Sequence, residues 1–459
     1  MRSIANRFVA LLAAGLLLSA CMLRAGDAAP GVVSHIKVVS DKVEDVSTLE
    51  DWRKAYIKDG MTDQDKAIAI WKTVVRYRHQ TAPPKEFLQS SEDMHDPMKT
   101  IHVYGYGMCC CASSNVEGLA RYLGLPARGR IINVHSVPEV SYDNDWHLLD
   151  GSLMNHFLRP DGKVASVDDL RKAVRGWFEA SPDRKGLRGN DNALRKFALD
   201  EGWKKGPELL AACQFYDKNG INAAGWHGWP SNMQEYDWSD QKAAEFEYGP
   251  SMGYQLNIQL RVGERLTRNW SNKGLMVPGN PKDDLLKGRQ GLAFQAKLGD
   301  IAPGRIGNGT HEYDVPLAGG AFRAGALLVE NLEDGAQGPR VKDAAKPGTL
   351  VIRMPSSYVY LSGEAALKAV VGEGGSIAVA CSDNHGLDWK QAGTIAASGQ
   401  QRLDLAKLVY RRYDYRLRFT LKGAGTALES LKIGHDIQHS QRALPALGQG
   451  DNRITFSAG

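Results

Sequence analysis

The chain has 459 residues, 43% hydrophobic and 24% charged, with a formal net charge of +5. That length exceeds what one hydrophobic core ordinarily serves, so two or three domains are expected, and no biased tract marks a fibrous or disordered protein. The charge is close to neutral for this size and falls by two if Arg2 and Arg7 are removed, which excludes electrostatic binding of nucleic acid as an expectation.

Arg2 and Arg7 precede the apolar run "FVALLAAGLLLSA" and then Cys21. The run is too short to span a bilayer as a helix and reads as an export signal over residues 1–20. Its ending, "LSAC", resembles the lipobox of bacterial lipoproteins, which implies cleavage before Cys21 and lipidation of that cysteine. Met22 stands where an inner-membrane retention signal would have aspartate, so the resemblance implies an outer-membrane lipoprotein or a periplasmic protein, held to the membrane by its lipid. A plain secretory signal cut after Ala28 is the alternative.

The segment "TDQDKAIAIWKTVVRYRHQ" offers Thr62 and Asp63 as caps, with Ala67, Ile70, Trp71, Val74 and Tyr77 or Arg78 at helical spacing. Next, "GYGMCCCASSNVEGLARYLGLPARG" places Cys109, Cys110 and Cys111 at the head of a helix. Its stripe is Ala112, Val116, Leu119, Ala120 and Leu123; Gly124 fits the cap and Pro126 stops it. "ARGRIINVH" and "EVSYDNDWHLLDGS" read as strands around a turn, and two helices follow near "SVDDLRKAVRGW" and "NALRKFALDEGWKKGPELLAACQF". The aromatic stretch "NAAGWHGWPSNMQEYDWSD" reads as a boundary, with Trp226, Trp229 and Trp238 able to stack on sugars or to pack between domains.

Beyond it, "YQLNIQLRV", "GTLVIRM", "SIAVAC", "YDYRLRFTL", "ESLKI" and "NRITF" are strands without helices of crossover length between them. The expected architecture is α+β: a domain over residues 40–225, then one or two antiparallel β-sandwiches over 245–345 and 346–459, divided near "AAKPG". "SDNHGLDW" looks like an Asp-box turn closing a hairpin, with His385 on the surface.

Three contiguous thiols make a poor structural metal centre, because they lack CxxC spacing and a second ligand pair. Successive helical residues also point about 100° apart. No metal or organic cofactor is therefore expected. Adjacent cysteines bridge only with strain; a bond from one of the trio to Cys213 is the remaining disulfide option. A cysteine at a helix N-terminus meets unpaired N–H groups and the positive end of the dipole, both of which favour thiolate. Cys109 holds that position, with Cys110 the alternative nucleophile if the helix starts one residue later.

A thiolate nucleophile needs a histidine and a group that orients it. If "SYDN" is a four-residue turn, Val140 pairs with Asp145 and His135 falls directly opposite Asp150, on one face with Trp146 and Leu148. Pro138 weakens that ladder and suggests an edge or bulge. His147 falls on the other face and reads as structural.

At this point a family resemblance becomes specific. "GMC" followed by a helix and "LGLPARG" resembles the core of the transglutaminase-like superfamily; "HSVPEV" looks like its H-A-W-V-E-V strand and "DWHLLD" like its g-W-x-x-x-D strand. The resemblance covers residues 60–155. Val137 replaces the usual Trp, and the interval from Cys109 to His135 is short. It implies a transglutaminase-like, papain-like fold with Cys109 as nucleophile, His135 as general base and acid, and Asp150 as orienting carboxylate. The Cys109 N–H would serve the oxyanion, with Tyr104, Tyr106 and Trp146 as oxyanion or cleft candidates.

The expected function is an exported cysteine-dependent amide hydrolase, peptidase- or amidase-like, working through a thioester on a peptide, glycopeptide or polysaccharide substrate, without nucleic acid. Acyl transfer is the variant chemistry. A catalytically silent scaffold that binds surface polymers through its β domains is the alternative from another class. The oligomeric state is left open.

Overall fold

The computed structural model describes residues 31–80, 94–133, 135–201, 206–211, 213–215, 233, 236, 244–246, 252–270 and 306–459. The segment read as an export signal, with Cys21, together with Trp226, His227, Trp229 and Trp238, lies outside the described residues.

Helix α1 (Asp63–Tyr77) starts where the capping pattern demands. Thr62 accepts from the Asp65 N–H, and the Asp65 carboxylate accepts from the Thr62 N–H. Such a box stabilises a helix by about 1 kcal/mol. Helix α2 (Cys109–Tyr122) has Met108 at its N-cap, which makes no side-chain hydrogen bond. It ends before Gly124, whose φ of 80° only glycine adopts at little cost.

Four strands, β1 (Ala127–Ile132), β2 (His135–Tyr142), β3 (Asp145–Leu148) and β4 (Ala244–Phe246), form one antiparallel sheet in the order β4-β1-β2-β3. Alternation decides what each face buries. Ala127, Val140 and Tyr142 join Ile70, Trp71, Val116 and Leu119 of α1 and α2. Ile132, Val137 and Leu148 join Leu170, Val174 and Trp177 of α3 (Val167–Glu179) on the opposite face. Because β4 comes from beyond residue 225 and pairs with β1, the first domain extends past the expected boundary.

The β2–β3 hairpin corrects the expected register. Only Asp143 and Asn144 form the turn, with φ of 51° and 60°, so Val140 faces His147 and Tyr142 faces Asp145. Positive φ at both central residues is the twist-matched hairpin turn. Asp150 therefore does not lie directly opposite His135. The correction moves each partner by two residues, and a shift of two keeps every side chain on its face. Pro138 is not on an edge strand: it pairs with Gly129 of β1. Its carbonyl accepts from the Leu149 N–H at 3.4 Å, so the side on which it lacks a donor is the one where β3 has already ended at Leu148.

Residues 264–268 and 306–440 form one sandwich, not two divided near residue 345. An eight-stranded sheet contains Ile306–Asp314 paired along Ala427–Ser440, and a five-stranded sheet contains Ala326–Glu330 paired with Gly348–Pro355. Both pairings cross the expected division. One core runs through them, including Tyr313, Leu350, Leu367, Val379, Phe419 and Ile433. "SDNHGLDW" closes the hairpin between Ser376–Ser382 and Lys390–Ile395, with Ser382 Oγ accepting from the Gly386 N–H at 2.8 Å.

The two halves meet at a π-turn, Thr100–Tyr104, which lies against the long strand Ala427–Ser440: Gln438 Nε2 donates to the Val103 carbonyl at 3.2 Å. The strand Ile454–Ser457 then pairs back onto Lys37–Ser40.

Candidate active site

Cys109 is the first residue of α2, at the end that presents unpaired N–H groups. His135 opens β2, and Asp150 follows β3 by two residues. His135 Nε2 lies 2.7 Å from Asp150 Oδ2. The His135 ring also hydrogen-bonds the Cys109 sulfur, which receives a further hydrogen bond from the Ser136 backbone N–H. Since Nε2 is taken by the carboxylate, Nδ1 is the nitrogen left for the thiol. The structure thus brings together Cys109, His135 and Asp150 in the order thiol, imidazole, carboxylate.

Asp150 is fully buried and every oxygen is used. Oδ1 accepts from the Ser152 and Leu153 N–H groups at 2.8 and 2.9 Å. Oδ2 accepts from Tyr236 at 3.3 Å as well as from His135, and the main-chain carbonyl accepts from Trp71 Nε1 at 2.8 Å. Burial would raise its carboxyl pKa, but the His135 charge, the hydrogen bond to it and the two N–H donors outweigh burial and hold it below the usual carboxylate range. Burial pulls His135 towards neutrality. The charge and hydrogen bond of Asp150, assisted by the Cys109 thiolate, win and push it up to about 10. For Cys109, burial acts upward, and the His135 hydrogen bond and charge bring the thiol below its ordinary value. The shifts favour a protonated imidazole beside an ionised Asp150 and ease the loss of the Cys109 proton.

Three further residues shape the site and were not visible as such in the sequence. Tyr236 comes from the stretch read as an interdomain boundary; it is wholly buried and reaches Asp150. Arg78, just past α1, is buried and donates to the Gly107 carbonyl at 2.6 Å and the Gly151 carbonyl at 2.8 Å. One guanidinium therefore holds the residue two before Cys109 to the residue after Asp150. Its own pKa is depressed by burial, against the attraction of Cys111, Asp150, Cys109 and Cys110. Gln80 joins it, its Oε1 accepting from Arg78 and from Ser152 Oγ at 2.9 Å. The available signal for Arg78 was a cation ending an otherwise apolar helical stripe.

Tyr104 and Tyr106 do not line an open cleft. Both are buried, packed edge to face, in the cluster that continues into the sandwich, and Tyr413 donates to the Tyr104 hydroxyl at 3.3 Å. Burial pushes the Tyr106 hydroxyl up to about 12. Trp146 stands four residues before Asp150 and packs under the Arg128 guanidinium at 3.9 Å. His147 is buried, hydrogen-bonded to the Val164 and Tyr142 carbonyls and stacked on Tyr142.

All five described cysteines are free thiols, so the expected option of a bond to Cys213 is not taken. Two of the three contiguous thiols come together: the Cys110 and Cys111 sulfurs are 3.9 Å apart, and with a ring nitrogen of His95 they form a group whose atoms all lie within 4.8 Å of one another. Cys111 is packed so tightly beneath the preceding loop that a Cβ on Gly107 would fall 2.7 Å from its own Cβ.

Comparison with protein-family models gives no match, and comparison with curated protein sequences gives none either.

Proposed function

We propose that this chain is a cysteine-dependent amide hydrolase with a transglutaminase-like catalytic domain, exported and lipid-anchored at Cys21. The observation that carries the reading is the Cys109–His135–Asp150 series, with the sulfur at a helix N-terminus and the carboxylate fully hydrogen-bonded. The Cys109 thiolate attacks an amide carbonyl carbon and forms a C–S bond. The oxyanion develops beside the first N–H groups of α2, where the helix dipole favours negative charge. His135 gives its Nδ1 proton to the departing amine as the C–N bond breaks. Neutral His135 then takes a proton from water, whose oxygen attacks the thioester and releases a carboxylic acid and the thiolate. Asp150 stays ionised throughout and fixes the ring. Peptide or glycan-linked amides are the proposed substrate class.

The ion pair exists between the depressed Cys109 value and about 10 for His135. Rate against pH should therefore rise on the acid side below the ordinary thiol range and fall as pH passes about 10. Iodoacetamide titration tests this directly: Cys109 should be alkylated near neutral pH, ahead of Cys110 and Cys111. A Cys109 that reacts only as an ordinary thiol, together with no hydrolysis across a panel of peptide and glycopeptide amides, would overturn the reading in favour of a binding scaffold.

A further inference from the structure

Behind the nucleophile the structure assembles a second group of reactive side chains. Cys110 and Cys111 occupy the second and third positions of α2, and His95 comes from the segment entering the short helix Pro97–Lys99. That segment is fixed from both sides. The Asp96 carboxylate accepts from the Met98 and Lys99 N–H groups at 2.8 and 3.1 Å, and Ser114 Oγ lies 3.2 Å from the carbonyl oxygens of both His95 and Cys111. His95 and the first turn of α2 are thus held together by the Ser114 hydroxyl, a link that needs no ligand.

The spacing suits a soft, filled-shell cation. Two sulfurs bonded to zinc at about 2.3 Å with a tetrahedral angle stand about 3.8 Å apart; the Cys110 and Cys111 sulfurs are at 3.9 Å. A histidine nitrogen within 4.8 Å of both supplies the third candidate ligand. Cys111 is buried while His95 and Cys110 are partly open, which gives a seat and an entry path. Arg78 lies close enough to interact electrostatically with both sulfurs, and thiolate is the form that binds metal.

The geometry points to a Cys110–Cys111–His95 site for a thiophilic d10 cation, zinc(II) in the first instance, with one coordination position left for water. Binding forms two Zn–S bonds and one Zn–N bond and releases one proton from each thiol; no electron moves. Two thiolates neutralise the ion, so its charge adds nothing to that of Arg78. The site stands independently of amide hydrolysis, since neither Cys109 nor His135 is among its ligands.

The test is a titration of the metal-free full chain with zinc(II) against a chromophoric chelator, repeated with cobalt(II) for its thiolate charge-transfer bands. One equivalent should bind with a Kd below about 1 µM. Cys110→Ser should weaken this by roughly 100-fold and His95→Gln by roughly 10-fold or more, while Cys109→Ala changes it by less than about twofold. Zinc should also protect Cys110 from alkylation. Because Cys111 is packed against Gly107, the decisive variants are Cys110→Ser and His95→Gln, each checked for folding by circular dichroism. Absence of binding, binding unchanged in both variants, or binding lost in Cys109→Ala would overturn the assignment; the last result would place the metal on the nucleophile instead.

Discussion

Among the described residues, two buried histidine–carboxylate contacts behave differently. In the first domain His135 and Asp150 meet at 2.7 Å, and the imidazole has a thiol on its other side. In the sandwich His311 Nε2 is 3.5 Å from Glu264, whose carboxylate is already taken by Arg261: Nη2 donates at 2.5 Å and the main-chain N–H at 2.6 Å. The other His311 nitrogen faces the Tyr360 hydroxyl at 3.2 Å. Burial raises Glu264, but the hydrogen bonds of His311 and Arg261 and the charge of Arg261 bring it down to about 2. Asp150 spends its charge on the histidine, and the histidine passes the effect to a sulfur. Glu264 is shared between an arginine and its histidine, and that ring meets a tyrosine hydroxyl on its other side instead of a thiol. The surroundings of the pair decide its chemistry.

The comparison breaks most sharply at the thiol. Cys109→Ala should reduce amide hydrolysis by at least about 10^4-fold and abolish selective alkylation. Glu264→Gln should leave turnover within about twofold. Asp150→Asn comes next, with a loss of about 10^3-fold in kcat/KM, because the ring loses its orienting acceptor. Without that charge His135 falls from about 10 towards its ordinary value, so the alkaline limb of the pH–rate profile should move down. An alkaline limb that stays in place would assign it to another group.

The sandwich pair is tested by stability. Glu264 titrates at about 2 when folded and near 4.5 when unfolded, so the stability it contributes is present above about pH 4.5 and is lost as pH falls towards 2. Glu264→Gln should cost about 2 kcal/mol in urea unfolding at pH 7, and the gap from the native chain should close near pH 2. A gap independent of pH would mean that the carboxylate is not the stabilising form. Smallest is Tyr236→Phe: loss of one hydrogen bond at 3.3 Å should cost about 1 kcal/mol and lower the rate several-fold without shifting the acid limb.

The same contrast explains what the sequence could disclose. Helix α2 was legible to its ends, because a stripe, a glycine and a proline are local signals. The shared face of His135 and Asp150 was legible because strand parity survived a misread turn. Asp143–Asn144 gave no glycine to announce a two-residue turn, so the register was missed. Tyr236 and β4 were hidden for a different reason: they return to the first domain across a stretch whose composition resembles a linker. The single sandwich was hidden because Ile306–Asp314 pairs with a strand more than a hundred residues later, and alternation names a strand without naming its neighbour. His95 carried no sequence signal; only folding sets it beside Cys110 and Cys111.

The Arg78 guanidinium, spanning the Gly107 and Gly151 carbonyls, serves as a crosslink that consumes no sulfur. A disulfide across the same two loops would have closed the site at the cost of two thiols and would have yielded to a reductant. The guanidinium leaves Cys109, Cys110 and Cys111 reduced and available. Millimolar dithiothreitol should accordingly leave the geometry around Asp150 untouched, whereas guanidinium chloride, which competes for the same carbonyl oxygens, should loosen it before the sandwich unfolds.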